Sequence, residues 1–323
     1  MRALVTGATG FVGGHLIEAL LGAGHTVTAL VRNPVRGEAL SARGVRLVAG
    51  DLHATAAIAE AAEGQDVVFH VAGATSALDE AGFHRSNVEG TRHVVAAAAA
   101  ARVGRLLHVS SLAAAGPSER GRPLRGDEPP RPVTAYGRSK LAAEEAVRAG
   151  RVEWAIVRPP MVYGPGDREF LRAFRAARRL GISPVFGSGT QELVAVFAPD
   201  LAEALVAVAL AGPTAGRTYA ACHVERFTQL DLARKLGEAV GRQVTVPRLP
   251  GTLARPILYL SEAVARLTGQ PTLLTSDKAN EFFAPAWTAD PSPIARDAGW
   301  EATHDLDAGL RRTAAWYRER GWL

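Results

Sequence analysis

The chain has 323 residues, 47% of them hydrophobic, a formal charge of +5 and one cysteine, Cys222. The length suits a large α/β domain with a smaller partner, the apolar content excludes a disordered chain, and a lone cysteine excludes an intrachain disulfide and fits a reducing, cytoplasmic setting. No apolar run reaches the roughly 18 residues of a membrane span, and the arginines are scattered among acids without a basic-aromatic motif, so neither a membrane nor a nucleic acid is expected as partner.

The chain opens on Arg2-Ala3-Leu4-Val5-Thr6-Gly7 with no long apolar stretch or cleavage site, so no signal peptide is expected. Residues 3–7 predict a strand, a Gly-rich turn follows, and Phe11–Gly22 has the period of a helix. His25–Val31, Val45–Ala49, Val67–Val71, Leu106–Ser110 and Trp154–Arg158 predict further strands. Between them, helices are predicted over Ala56–Glu63, Asn87–Ala101 and Tyr136–Ala149. Strands alternating with helices imply parallel pairing and right-handed crossovers, hence a doubly wound α/β Rossmann sheet. After Arg158 the rhythm breaks at Pro159-Pro160 and Gly164-Pro165-Gly166. The division expected is a dinucleotide-binding domain over residues 1–160, with a strand near Leu193–Phe197 and a helix at Leu201–Ala211 returning to it. Residues 161–323 would mainly bind substrate. Leu253–Leu267 mixes apolar residues with Arg255, Glu262 and Arg266, which reads as a surface helix.

Thr6-Gly7-Ala8-Thr9-Gly10-Phe11-Val12-Gly13 places glycines at 7, 10 and 13 between a strand and a helix. Gly7 permits the tight turn, Gly10 lets backbone approach a pyrophosphate, and Gly13 lets the helix pack on the strand, whose N-terminal N–H groups then face anionic oxygens. An NAD-preferring site carries an acid at the end of the second strand. Here Val31 stands in that place, and Arg32 follows, with Arg36 nearby. A guanidinium there pairs with a 2′-phosphate, so NADP(H) is expected ahead of NAD(H).

Tyr136-Gly137-Arg138-Ser139-Lys140 begins a helix, and residues four apart share a face. An ammonium beside a phenol favours the phenolate and suits acid–base catalysis. Only three of the 37 basic side chains are lysines, Lys140, Lys235 and Lys278. Composition would put one at a given position about once in a hundred. Ser111, at the end of the fifth strand, faces the crevice where such sheets bind ligands. The nine histidines form no metal-binding spacing, and no metal is expected. His70 reads as packing beside the cofactor. Arg172, Arg175, Arg178 and Arg179 read as a solvated helix face, and the tryptophans at 287, 300, 316 and 322 as packing anchors.

Together these motifs resemble the extended branch of the short-chain dehydrogenase/reductase superfamily, the NAD-dependent epimerase/dehydratase type, over essentially the whole chain. They are joined by Gly50-Asp51-Leu52, Asp66–Ala72, Asn87-Val88-Glu89-Gly90-Thr91, Arg158–Gly166 and Ala298-Gly299-Trp300 to Trp316-Tyr317. The resemblance implies that Tyr136 exchanges a proton with the reacting oxygen. Lys140 would bind the nicotinamide ribose and lower the phenol pKa, Ser111 would steady the oxygen, and Asn87 would organise the helix beside them. Asp51 and Leu52 would border the adenine, Ala72 and Gly73 the cofactor channel, and Pro159 and Val162 the nicotinamide. Homodimers through the helices after Asn87 and Tyr136 are implied as well. Pro160-Met161 stands where nucleotide-sugar epimerases carry an asparagine, and Glu192 falls near their diphosphate-clamping arginine. The chain is therefore more similar to the branch of dihydroflavonol reductases and 3β-hydroxysteroid dehydrogenases. The expected activity interconverts a secondary alcohol and a carbonyl on a small, fairly apolar molecule. A nucleotide-sugar epimerase or dehydratase is one alternative, and a non-catalytic dinucleotide sensor is another.

Overall fold

A computed structural model describes every residue except Asp127. Seven parallel strands form the central sheet: β1 (Arg2–Thr6), β2 (Thr26–Val31), β3 (Arg46–Ala49), β4 (Val67–His70), β5 (Arg105–Val109), β6 (Trp154–Arg158) and β7 (Arg217–Ala220). Their order is β7-β6-β5-β4-β1-β2-β3. The chain reverses direction across the sheet between β1 and β4, and a crevice opens at the carboxyl ends of those two strands. Strands β1, β4 and β5 are buried almost throughout, as a sheet covered on both faces requires.

On one face, α1 (Phe11–Gly22) packs Leu16, Ile17 and Leu20 with Leu201, Leu205 and Val208 of α5 (Ala198–Leu210). On the other lie α2 (Thr55–Ala62), α3 (Gly90–Ala100) and α4 (Ala135–Arg148), which enclose Ile58, Val94, Ala98 and Val147 against Leu4, Val68 and Leu106. Small alanines on these helices let them sit close to the sheet. Thr134 starts α4: its side chain accepts from the Gly137 N–H at 3.1 Å.

The remaining elements build a second core around Tyr163, Phe174, Phe197 and Tyr317. It is covered by α6 (Gln229–Val240) and α8 (Leu306–Glu319), with α7 (Gly251–Thr268) further out. A capping box between Thr228 and Asp231 fixes the start of α6, and Asp305 caps α8 by accepting from Ala308 N–H at 2.7 Å.

Element by element, the first six central strands and three of the first four major helices fall where the sequence places them, within a residue or two. One difference is the helix predicted over Asn87–Ala101: His84–Glu89 is a π-helical stretch, and regular α-helix begins at Gly90. Residues 192–197 do not join the central sheet. They form two short strands, of which Ala195–Phe197 pairs with Met161–Tyr163. The seventh place in the sheet is taken by β7, a half-exposed Arg-Thr-Tyr-Ala segment without an apolar run.

Candidate active site

The phosphate turn is shaped by contacts that only glycine permits. Gly7 has φ +77°, and a Cβ there would lie 2.7 Å from the Ala72 nitrogen. A Cβ on Gly13 would lie 2.0 Å from the Gly7 carbonyl oxygen. The two glycines thus let β1, α1 and the residues after β4 meet. Gly10 is the N-cap of α1, and no side chain caps it, so the first-turn N–H groups are left for an outside acceptor. Exposed Arg32 and Arg36 border the same cavity, as does Arg43. Val31 is buried in the core, so no carboxylate stands at the end of β2. An uncapped helix N-terminus with three guanidinium groups nearby fits the phosphates of a dinucleotide.

A single cavity of about 2230 Å³ runs from this turn to the C-terminal half. Its wall includes Gly7, Thr9, Gly10, Phe11, Val12, Gly13, Arg32, Asp51, Leu52, Ala72, Gly73, Ser111, Tyr136, Lys140, Pro159 and Val162. Every residue the sequence singled out for the site is on it, with one exception. Asn87 lies behind the wall, fully buried. Its Oδ1 accepts from Ala74 N–H at 2.7 Å, and its Nδ2 donates to Ala74 O at 3.1 Å and Ser139 Oγ at 2.9 Å. Ser139 Oγ donates in turn to Tyr136 O at 2.7 Å. Asn87 therefore ties the loop after β4 to the first turn of α4, and it does so from the π-helical stretch, which re-aims side chains relative to a regular helix. Asp51 serves locally as well, accepting from His53 and Ala54 N–H at 2.8 and 3.0 Å.

Tyr136 and Lys140 both reach the cavity from α4. The Lys140 ammonium is buried and donates to Val109 O at 2.8 Å, and burial brings its pKa down to about 8. The phenol departs from the expectation that the lysine lowers it. Burial pushes Tyr136 up to about 12, a hydrogen bond with Ser111 pulls it partly back, and the charge of Glu281 pushes it up again. Desolvation governs the phenol, and the Lys140 ammonium is engaged by a backbone carbonyl instead. His70 is neutral packing, as expected. Burial first, then the charge of Lys140, brings it to about 3, and it bridges Thr6 and Thr91 at 2.8 Å each.

Several residues at the site escaped the sequence reading. Lys278 lies with its ammonium 5.3 Å from the Tyr136 ring centroid and pairs with Glu281. Glu281 accepts from the Thr134 hydroxyl at 2.8 Å, and Asp277 accepts from the Ala135 N–H at 2.7 Å, so this segment clamps the start of α4. The scarcity of lysine marked Lys278 as plainly as Lys140, but no local spacing connected it to the tyrosine. Arg43 was missed for the same reason. Glu192 is not on the cavity wall; it accepts from Gly121 N–H at 2.8 Å, and its neighbours Gln191, Leu193 and Val194 line the cavity instead. Glu192 therefore does not stand where a diphosphate-clamping arginine would face the ligand. Of the four arginines on the helix after Glu169, Arg172 lines the cavity. Trp287, Trp316 and Trp322 line it too, while Trp300 is buried in the main core.

Residues 3–222 match the NAD dependent epimerase/dehydratase family. The chain belongs to that family. As a member of the NAD-dependent epimerase/dehydratase family it is an NAD(P)-dependent oxidoreductase of the extended short-chain type. It is 34% identical to the ceramide reductase of Caulobacter vibrioides, over 99% of this chain and 95% of that protein. It is 30% identical to the 2-alkyl-3-oxoalkanoate reductase of Stenotrophomonas maltophilia, over 98% and 99% of the two. Among solved structures of the family's fold, it superposes on gox2253 with a TM-score of 0.83 at 24% identity, covering 100% of this chain and 99% of that one. It also superposes on a double mutant of DesIV, the dTDP-glucose 4,6-dehydratase of Streptomyces venezuelae with NAD and DAU bound, with a TM-score of 0.81 at 25% identity, covering 100% and 98%. Among the described residues, no helix is long and apolar enough to cross a membrane.

Proposed function

We propose that this enzyme reduces a ketone to a secondary alcohol on a long, largely apolar substrate, with NADPH as preferred cofactor and Tyr136 as the proton donor. The observation that carries this reading is the convergence of Tyr136, Ser111 and Lys140 on the cavity that begins at the uncapped α1 N-terminus. When bound there, the dinucleotide supplies a hydride to the carbonyl carbon. Tyr136 gives its phenolic proton to the carbonyl oxygen. A phenol held near 12 keeps that proton at neutral pH, which is the state an acid needs. Ser111 holds the same oxygen, and Lys140 places a positive charge beside the phenolate left behind. Asn87 and Ser139 keep the first turn of α4 in register for the transfer.

Two observations favour the substrate class and a third the cofactor. The cavity wall beyond Tyr136 presents Met161, Phe186, Leu193, Leu273, Phe282 and Trp287. Both relatives named above reduce molecules that carry long apolar parts, by their names, and they are reductases rather than epimerases. Arg32, Arg36 and Arg43 favour the 2′-phosphate of NADPH. We further propose that the shallow groove lined by Val88, Arg92, Val95, Ala96, Ala142 and Ala146, between α3 and α4, is where two copies pair. The division into a dinucleotide-binding part (residues 1–160, with α5 and β7 returning) and a substrate-binding remainder belongs to the same proposal.

The test is NADPH consumption with 2-alkyl-3-oxoalkanoates and N-acyl amino ketones, beside UDP- and dTDP-glucose. The expected outcome is net oxidation of NADPH with the ketones, lowered roughly 10²–10⁴-fold in Tyr136→Phe with binding of the cofactor retained. Turnover of the nucleotide sugars with no net change in the cofactor would replace this reading with an epimerase or dehydratase.

A further inference from the structure

Helix α7 presents an apolar face that none of the described residues covers. Leu253, Ile257, Leu260, Val264 and Leu267 follow one another at steps of four, three, four and three residues, and each is between 50 and 87% exposed. At 3.6 residues per turn they occupy a stripe about 80° wide, and Tyr259, Pro256 and Ala263 extend it to about 160°. The other side of the helix is also apolar, with Ala254, Leu258 and Ala265 buried against the protein. The helix's one acid, Glu262, is turned inward: it accepts from Ser276 N–H and Oγ at 2.9 and 2.6 Å and from the Arg266 guanidinium at 2.5 Å. The outward face therefore carries no negative charge. Exposed Arg255 and Arg266 border it beyond Tyr259, on a chain of net charge +5. A wide apolar face edged by a tyrosine and arginines is the pattern of a helix lying in the plane of a lipid surface, its cations level with anionic headgroups.

The position of the face strengthens the assignment. Gly251, at the start of α7, lies against Phe283, and Phe282 stacks on Phe186 with ring centroids 4.3 Å apart in the cavity wall. After α7 the chain returns through Leu274, exposed, and Leu273, on the cavity wall, to Lys278 and Glu281 beside Tyr136. One continuous segment thus joins the uncovered apolar face to the substrate end of the active site.

We propose that this face docks on an anionic lipid bilayer, with α7 lying in the headgroup region rather than crossing it. This reverses the expectation of no membrane contact, which read Leu253–Leu267, with Arg255, Glu262 and Arg266 among its apolar residues, as a surface helix. Glu262 lies under the rim and pairs with Arg266 at 2.5 Å, so the three charged groups sit at one edge of the helix and leave the apolar stripe free of charge. The docking itself does not depend on the identity of the substrate, because it is read without turnover.

The full chain is sedimented with vesicles of phosphatidylcholine alone and of phosphatidylcholine with phosphatidylglycerol, and its oligomeric state is measured by sedimentation velocity. The expected result is partition onto the phosphatidylglycerol vesicles, weakened by salt and lowered at least about tenfold in Leu260→Ser/Leu267→Ser. That variant's circular dichroism and NADPH binding should be unchanged. In Arg255→Glu/Arg266→Glu, binding should fall on the anionic vesicles, which keeps the test open if the serine variant does not fold. Wild-type protein that stays in the supernatant with both vesicles overturns the proposal, as does vesicle binding that both variants keep. A serine variant that instead splits a larger oligomer, with no vesicle binding in the wild type, assigns the face to a second copy of the chain.

Discussion

Lys140 is charged at neutral pH inside a protein wall, with one carbonyl for a partner. Burial brings its pKa from 10.5 to about 8, partly offset by the nearby Glu144 carboxylate. The sign of the consequence follows. Below pH 8 both folded and unfolded chains hold the proton, and the folded one bears the full penalty of a buried charge. Between pH 8 and 10.5 only the unfolded chain holds it, so stability rises with pH across that window, by up to about 3 kcal/mol. Lys140→Met removes the penalty along with the charge proposed to act beside Tyr136. It should be inactive, more stable than the wild type at neutral pH by about 1–3 kcal/mol, and no longer more stable near the upper end of that window. Urea unfolding of both proteins at the two ends of the window checks it. A methionine variant less stable than wild type at pH 7 would mean that the bond to Val109 outweighs desolvation.

At the scale of the element, α4 has two anchors. Its N-terminus is held by Thr134, Asp277 and Glu281, and its middle by Glu144. The Glu144 carboxylate is completely buried. It accepts from Arg158 at 2.8 and 2.7 Å, from Ser110 Oγ at 2.6 Å and from Arg148 at 2.7 Å. Burial alone would raise its pKa, but the bonds and charge of Arg158, helped by Ser110 and Arg148, hold it below the usual carboxylate range. This cluster fixes α4 to the ends of β5 and β6 and so sets the distance from Tyr136 to Ser111. Glu144→Ala leaves the Arg158 guanidinium buried without a counter-charge and should cost about 3–5 kcal/mol. Since the folded carboxyl is the more acidic one, its contribution is present above the unfolded pKa and lost as pH falls through the folded value. The gap between wild type and variant in urea midpoint should therefore be full at pH 7 and close in acid. A gap that does not change with pH would show that packing, not charge, supports α4.

At the scale of the whole molecule, what could be read in advance divides at Arg158. Up to there the fold is written in local periods, because each strand is a short apolar run and each helix has its own buried stripe. Likewise, Gly7–Gly13 and Tyr136–Lys140 are legible because both motifs act within one or two turns of backbone. Beyond Arg158 most strands are two or three residues long, and long-range aromatic packing decides the structure. Strand β7 has no apolar run to announce it, so residues 193–197 were the natural but mistaken choice for the sheet. Helix α6 was missed although its Thr228/Asp231 box stood in the sequence. Lys278, Glu281 and Asp277 reach Tyr136 and its helix only through folding, as in the contact of Asp277 with Ala135, 142 residues apart. Because the dinucleotide groove is assembled from turns after β1, β2, β4 and β6, it exists only in the folded chain, and its ligand must stabilise the fold as a whole. A nucleotide at a hundredfold excess over its Kd adds about 2.7 kcal/mol to unfolding. NADPH should thus raise the urea midpoint more than NADH at equal concentration if, as proposed, Arg32 and Arg36 meet the 2′-phosphate that NADH lacks. In Arg32→Ala the Kd for NADPH should weaken about tenfold, the loss of one charge-assisted bond, while that for NADH stays as it was. If the two nucleotides shift the wild-type midpoint equally, the arginines are solvated charges and the preference for NADPH falls, with the rest of the site unaffected.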